Sequence, residues 1–153
     1  MASEQLLKFN EQFPNSMYRE IHAQYTGPMK NDEDTNKYQQ SKAPINKTIV
    51  SFDAIKDTKN RIGWIVPEDY IVVDIDKQEY ASVVFKILKK RNIKFSYMKG
   101  RKGGHFIFKN QRGVKSISAG TPCSIGIVVD IRCMGKGYII LPENDTDRTW
   151  GTI

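Results

Sequence analysis

Apolar residues follow two different periods along this chain, and the change between them divides it. From about Ser3 to Tyr25 the spacing is helical. Leu6, Leu7, Phe9 and Phe13 form one side, and Met17, Tyr18, Ile21 and Tyr25 form another. Pro14-Asn15-Ser16 predicts a break followed by a helix cap, and Gly27-Pro28 closes the segment. Residues 29–47 are polar, carry charges of both signs and read as a solvated loop. Lys42 and Lys47, which flank Ala43-Pro44, would touch phosphate only if this loop folded over a site.

From Ile49 onward, short β-branched runs take over. Trp64-Ile65-Val66 and Tyr70-Ile71-Val72-Val73, separated by Pro67-Glu68-Asp69, predict a strand pair in the form of a hairpin. Residues 77–92 predict a helix with Tyr80, Val83, Val84, Ile87 and Leu88 on its apolar face. Lys86, Lys89, Lys90 and Arg91 load the other side and the C-terminal end, as the helix dipole favours. Strands are expected at residues 94–99, 105–108, 125–131 and 138–141, with a basic, glycine-rich turn at Gly100–Gly104. The order from residue 64 on is strand, strand, helix and four strands. That order describes one mostly antiparallel sheet with a helix on one face, an α+β layout.

Composition narrows the setting. The 153 residues suit one domain with its own core, and 39% hydrophobic with 27% charged residues suits a folded soluble chain. No apolar run is long enough to span a bilayer, and the N-terminus lacks a signal-peptide layout, so no membrane partner and a cytoplasmic location are expected. Cys123 and Cys133 alone suggest neither a disulfide framework nor a zinc site. The net charge of +7 favours polyanions. The closing Trp150-Gly151-Thr152-Ile153 leaves open a cut through a longer chain.

Three segments carry candidate chemistry. In Val72-Val73-Asp74-Ile75-Asp76 the two carboxylates point to one face of a strand, where they repel unless a cation joins them. Mg²⁺ or Mn²⁺ suits such hard oxygen donors. The alternative is that Asp76 caps the following helix and Asp74 meets solvent. In Gly100-Arg101-Lys102-Gly103-Gly104-His105 the glycines permit close backbone approach to phosphate. Arg101 and Lys102 add charge, and His105 opens a strand. The alternative is an ordinary basic turn with a structural histidine. In Val128-Val129-Asp130-Ile131-Arg132 a third acid ends an apolar run and Arg132 shares its face, as phosphate ligand or as a local ion-pair partner of Asp130. Lys136 lies in the glycine-flanked turn beyond. Three acids, a histidine and several cations at strand ends of one sheet are the parts needed for phosphoryl transfer on a nucleotide.

The order of these motifs resembles the primase-polymerase domain of the archaeo-eukaryotic primase superfamily, found in phage, plasmid and mobile-element replication proteins. The resemblance rests on Val72–Asp76, Gly100–Phe108 and Val128–Pro142, within residues 62–142. It implies an RRM-like α+β sheet with a helix on one face, preceded by an N-terminal helical segment. On that basis residues 1–47 are the helical segment and polar loop, and residues 48–153 the catalytic core. It further implies a template-directed nucleotidyltransferase, a DNA primase or polymerase. Asp74, Asp76 and Asp130 would hold Mg²⁺ or Mn²⁺ and His105 would contact the incoming triphosphate. Arg132 matches a basic position after the third acid; Arg101, Lys102, Gly103, Gly104 and Lys136 are added from charge and location. The implied partners are nucleoside triphosphates, a single-stranded or primed DNA template, and a fused or associated helicase. One departure is Gly103, where the family often has serine.

Two other readings compete. A non-catalytic replication-initiator module would bind nucleic acid by charge and by Phe95, Tyr97, Phe106 and Phe108. A metal-dependent nuclease would cleave strands without added triphosphate. Tyr138 is a candidate gate against the ribose 2′-hydroxyl in the enzyme reading.

Overall fold

The N-terminal helix forms and stops early. Helix α1 (Glu4–Gln12) is capped by Ser3, whose side chain accepts from the Leu6 amide at 3.2 Å. After Pro14 and left-handed Asn15, the expected second helix is instead strand β1 (Met17–Ile21). Met17, Tyr18 and Ile21 fit either period, and pairing with a buried neighbour decides the outcome. Ser16 is no helix cap. Its hydroxyl donates to the Phe13 carbonyl at 2.6 Å and accepts from Trp64 Nε1 at 2.9 Å. The polar stretch 29–47 is also partly helical: α2 (Asp32–Gln40) starts at Asn31, whose side chain accepts from the Asp34 amide.

The remaining elements are β2 (Val50–Ser51), α3 (Phe52–Ile55), β3 (Arg61–Ile65), β4 (Tyr70–Ile75), α4 (Gln78–Lys90), β5 (Ser96–Lys99), β6 (Gly104–Lys109), β7 (Ser118–Pro122), β8 (Val128–Cys133), β9 (Tyr138–Ile140) and β10 (Thr149–Thr152). The computed structural model describes residues 1–115, 118–135 and 137–152. Among these residues the chain is α+β, with four helices and two antiparallel sheets. None of its helices is long and apolar enough to cross a membrane.

The chain divides into two compact units. The first comprises Met1–Ile65 and Tyr138–Thr146 and holds a four-stranded sheet in the order β2-β1-β3-β9. The expected hairpin between residues 64–66 and 70–73 is therefore absent: β3 pairs with β1 and β9, not with β4. Every residue of β3 is buried, which demands a neighbour on each side, and a two-stranded hairpin supplies only one. Trp64 packs against Phe9 and Phe13 of the same unit, with ring centroids 5.2 and 4.9 Å away. Arg61, 2% exposed, is held by Asp145 at 2.9 Å, by the His22 carbonyl at 3.1 Å, and by the carbonyl and hydroxyl of Ser41.

The second unit runs from Val66 to Gly137 and resumes at Asp147. Its six-stranded sheet has the order β10-β5-β6-β4-β8-β7, with β4 in the interior. The strands from residue 64 on thus belong to two sheets, since β3 and β9 sit in the other unit. Helix α4 covers one face of the six-stranded sheet. Its packed stripe is Ala81, Val84, Phe85 and Leu88, while Tyr80 and Val83, expected on that stripe, are exposed. Phe85 shifts the stripe because it makes edge contacts with Phe95 and Tyr97, centroids 5.5 and 5.4 Å away.

Candidate active site

On the sheet face opposite α4, the register brings the singled-out residues into one row. Asp74 of β4 has His105 of β6 as its cross-strand partner on one side and Asp130 of β8 on the other. Cross-strand partners point to the same face. Their strand neighbours Val73, Phe106, Val129 and Ile131 point the other way, into the core beneath α4. Alternation on three adjacent strands therefore sets the acid-histidine-acid row on the face away from α4, where Val72 and Ile107, of the same parity, are also buried.

His105 Nε2 lies 3.3 Å from Asp74 Oδ2, and both side chains are largely buried. His105 Nδ1 is buried with no hydrogen-bond partner. Burial opposes the charged form of Asp74. The hydrogen bond and charge of His105, then the charges of Arg132 and Arg148, outweigh it and hold the carboxyl below its usual range. Asp74 is thus kept ionised while facing a second acid, an arrangement that costs stability unless cations surround it. Arg132, two residues beyond Asp130, is one of them, and its guanidinium passes close to Gly137, 3.3 Å from where a Cβ would stand there.

Asp130 is oriented by a bulge in the neighbouring strand, outside the three motifs. Strand β7 is irregular against β8 between Ser118 and Thr121, and Gly120 there has φ 70°. This turns the Gly120 amide onto Asp130 Oδ1 at 2.8 Å. A left-handed glycine in a strand is the available signal for such a bulge. Arg148 was also missed, because it lies beyond the motif region and reaches Asp74 only through the pairing of β10 with β5.

The remaining candidates divide. Asp76 follows β4 at a bend and is exposed, and the N-cap position of α4 is Lys77. Among the described residues, no three His, Cys, Asp or Glu side chains converge as a metal-binding group. The donors brought together are the opposed pair Asp74 and Asp130, which suits a divalent ion by charge and by hard oxygen chemistry. Arg101 is engaged by Asp147 at 2.7 Å, and Lys102 is exposed in the turn. Gly103 and Gly104 are filled by the chain itself. A Cβ on Gly103 would stand 1.8 Å from the Ile75 carbonyl oxygen, and one on Gly104 would stand 2.3 Å from the Tyr97 ring. Close packing alone is enough to require glycine at both positions. Lys136 lies outside the described residues.

Several secondary candidates have other employment. Phe95, Tyr97, Phe106 and Phe108 pack on one another and under α4, so they offer no stacking platform for bases. Tyr138 belongs to the first unit and donates its hydroxyl to the Lys42 carbonyl at 2.6 Å. Lys42 Nζ lies over the Tyr38 ring, 4.4 Å from its centroid.

Comparison with protein-family models, with curated proteins and with solved structures found no match. The functional reading therefore stands on the residues and their geometry.

Proposed function

We propose that this chain is a template-directed nucleotidyltransferase, a DNA primase or polymerase core working in the cytoplasm on a single-stranded or primed DNA template. What supports the reading is the row Asp130–Asp74–His105: two carboxylates in direct cross-strand register, with a histidine on the third strand. A surface that only bound a polyanion would gain nothing from opposed acids at its centre. The net charge of +7 is also consistent with a polyanionic substrate and template.

Asp74 and Asp130 would hold Mg²⁺ or Mn²⁺, with Asp76 close enough along the chain to join. When bound, the ion polarises the α-phosphate and activates the primer 3′-hydroxyl. The protein's own contribution is placement and charge. Gly120 fixes Asp130, His105 fixes Asp74, and Arg132 draws the triphosphate towards one side of the pair. In the transfer, the bond from the 3′-oxygen to the α-phosphorus forms and the bond from the α-phosphorus to the bridging oxygen breaks. Pyrophosphate leaves, and the hydroxyl proton passes to solvent. A helicase, fused or associated, would supply unwound template.

The test is extension of a 5′-labelled primer on a DNA template with nucleoside triphosphates and Mg²⁺ or Mn²⁺, alongside Asp74→Ala and Asp130→Ala. Metal-dependent elongation that both substitutions abolish supports the reading. Primer shortening without added triphosphate would assign a nuclease instead, and DNA binding that ignores metal and both substitutions would assign a binding module.

A further inference from the structure

Charge is distributed unevenly along this chain. Residues 80–129 hold eleven Lys and Arg and no Asp or Glu, whereas the rest holds thirteen against seventeen. The net charge of +7 therefore arises from one stretch, and its densest part is the end of α4. Lys86, Lys89, Lys90, Arg91 and Lys94 follow one another within nine residues, and all are exposed. By helical spacing, Lys86 and Lys90 point directly away from the packed stripe of Ala81, Val84, Phe85 and Leu88, with Lys89 and Arg91 on their flanks. The other helices neutralise lysines locally. Lys8 meets Glu4 at 2.7 Å, Lys37 meets Glu33 at 3.5 Å and Lys56 meets Asp53 at 3.4 Å. Among the described residues, none of the five cations at the end of α4 has an ion-pair partner. Glu79, the acid of α4, lies about two turns before Lys86. The helix dipole favours cations in a last turn. It does not explain a cluster that starts a turn earlier and runs on past the helix end, because like charges three and four residues apart destabilise a helix.

We propose that the C-terminal end of α4 is a second DNA contact, which holds the phosphate backbone at a distance from the acid row. The choice of DNA as the polyanion rests on the nucleotidyltransferase reading; the unpaired cation cluster does not. Four of the five cations are lysines. Lysine is depleted from protein–protein interfaces, where the planar fork of arginine is favoured. A phosphate backbone asks only for point charges, and each contact releases a counterion whatever the base sequence. A membrane fits less well. A helix that lies on lipid buries its apolar face there, but α4 packs that face on the sheet, and its exposed large apolar side chains are Tyr80 and Val83. Asp74, Asp130 and His105 lie on the opposite face of the same sheet. The segment of strand held at α4 is therefore not the segment that reacts at the acids. The contact raises affinity for DNA and leaves the chemical step alone.

The experiment follows binding of a fluorescein-labelled DNA of about 30 nucleotides, single-stranded and as a duplex, by anisotropy from about 50 to 200 mM KCl without metal. The first triple variant, Lys86→Gln/Lys89→Gln/Lys90→Gln, keeps good helix formers. The second, Lys30→Gln/Lys56→Gln/Lys59→Gln, removes the same charge from the first unit. In the first triple the slope of log affinity against log salt should fall by about 2–3, and affinity near 100 mM by about tenfold. The second triple should bind as wild type does. Lys86→Gln/Lys90→Gln is a milder repeat, expected to lower the slope by about two thirds as much. Loss on the single strand assigns the contact to template, and loss on the duplex assigns it to the primer–template stem. A loss shared equally by both triples, or absent from the first, overturns the inference. Binding to phosphatidylserine vesicles that the first triple abolishes, with DNA binding intact, overturns it in favour of a membrane. In primer extension the first triple should raise KM for primer–template about tenfold with kcat unchanged. If wild type fails to extend but loses DNA affinity through these lysines, the contact stands and the catalytic reading falls. If both proteins extend with the same KM, the contact falls and the catalytic reading survives.

Discussion

Asp74 and Asp130 are direct cross-strand partners, so β4 and β8 are joined at a point where two acids face each other. Opposed like charges cost roughly 0.2–1 kcal/mol in a sheet. Asp130→Asn removes one charge and keeps an oxygen for the Gly120 amide. We expect a melting temperature equal to or slightly above wild type, together with loss of primer extension by at least about a hundredfold. Differential scanning calorimetry and the extension assay, run on the same preparation, check both halves.

The same pair predicts how metal acts on stability. An ion held between the two acids binds the folded state and raises its melting point with concentration. Titration with Mn²⁺ should stabilise wild type more than Asp130→Asn or Asp74→Asn, as read by thermal shift. Equal shifts in all three would remove the acids as ligands.

The depressed titration of Asp74 gives a signed pH dependence. Its folded carboxyl is held below the ordinary value of 3.8, principally by the hydrogen bond and charge of His105 acting against burial. Ionised Asp74 therefore contributes stability that is fully present above the unfolded value. This contribution is lost as pH falls from about 3.8 through the folded value. Wild type should lose stability more steeply in that acid range than Asp74→Asn does. A carbon-detected NMR titration of the Asp74 carboxyl should move upward in Arg132→Met.

Gly103 is predicted to be among the least replaceable positions. Gly103→Ala or Gly103→Ser would drive a Cβ into the Ile75 carbonyl, a backbone atom that cannot turn aside. We expect a loss of about 2–4 kcal/mol by urea unfolding. Gly113→Ala is the control: its φ is also positive at 61°, but nothing lies within 4 Å, so only the backbone term of about 1–2 kcal/mol applies.

In the first unit, Arg61 and Asp145 are both 2% exposed and 2.9 Å apart. Removing one partner leaves a buried charge, so Arg61→Met or Asp145→Asn should each cost about 3–5 kcal/mol. The double variant should cost less than the sum of the two, which equilibrium unfolding of all four proteins would show.

The six-stranded unit was the more legible part of the chain. Strand period and helix period are clear over residues 70–109, and the strands and helix appear there within a few residues of expectation. The acid-histidine-acid row followed because parity along a strand survives small errors in its ends. Partner choice was not legible. Nothing local in Trp64-Ile65-Val66 says that its neighbours are β1 and β9 rather than β4. The stripe of α4 was misassigned by one position because Phe85 and Ala81 fit the same helical spacing as Val83 and Tyr80. The burial of Arg61 was not legible, since its partners His22, Ser41 and Asp145 are distant in sequence. The packing need for glycine at 103 and 104 was not legible either, because a sequence cannot show that Ile75 and Tyr97 occupy the space beside them.

The division of the chain also bears on how a ribosome delivers it. The first unit, which starts with Met1–Ile65, takes β9 and Asp145 from beyond the second, and the second takes β10 from residues after Asp145. Neither unit can finish folding on the nascent strand until its late strand, β9 or β10, has emerged. Until then β3 presents an unpaired apolar edge and Arg61 lacks its carboxylate. Translation that stalls after Gly137 would release two sheets, each short of one strand, instead of one finished unit and one incomplete one.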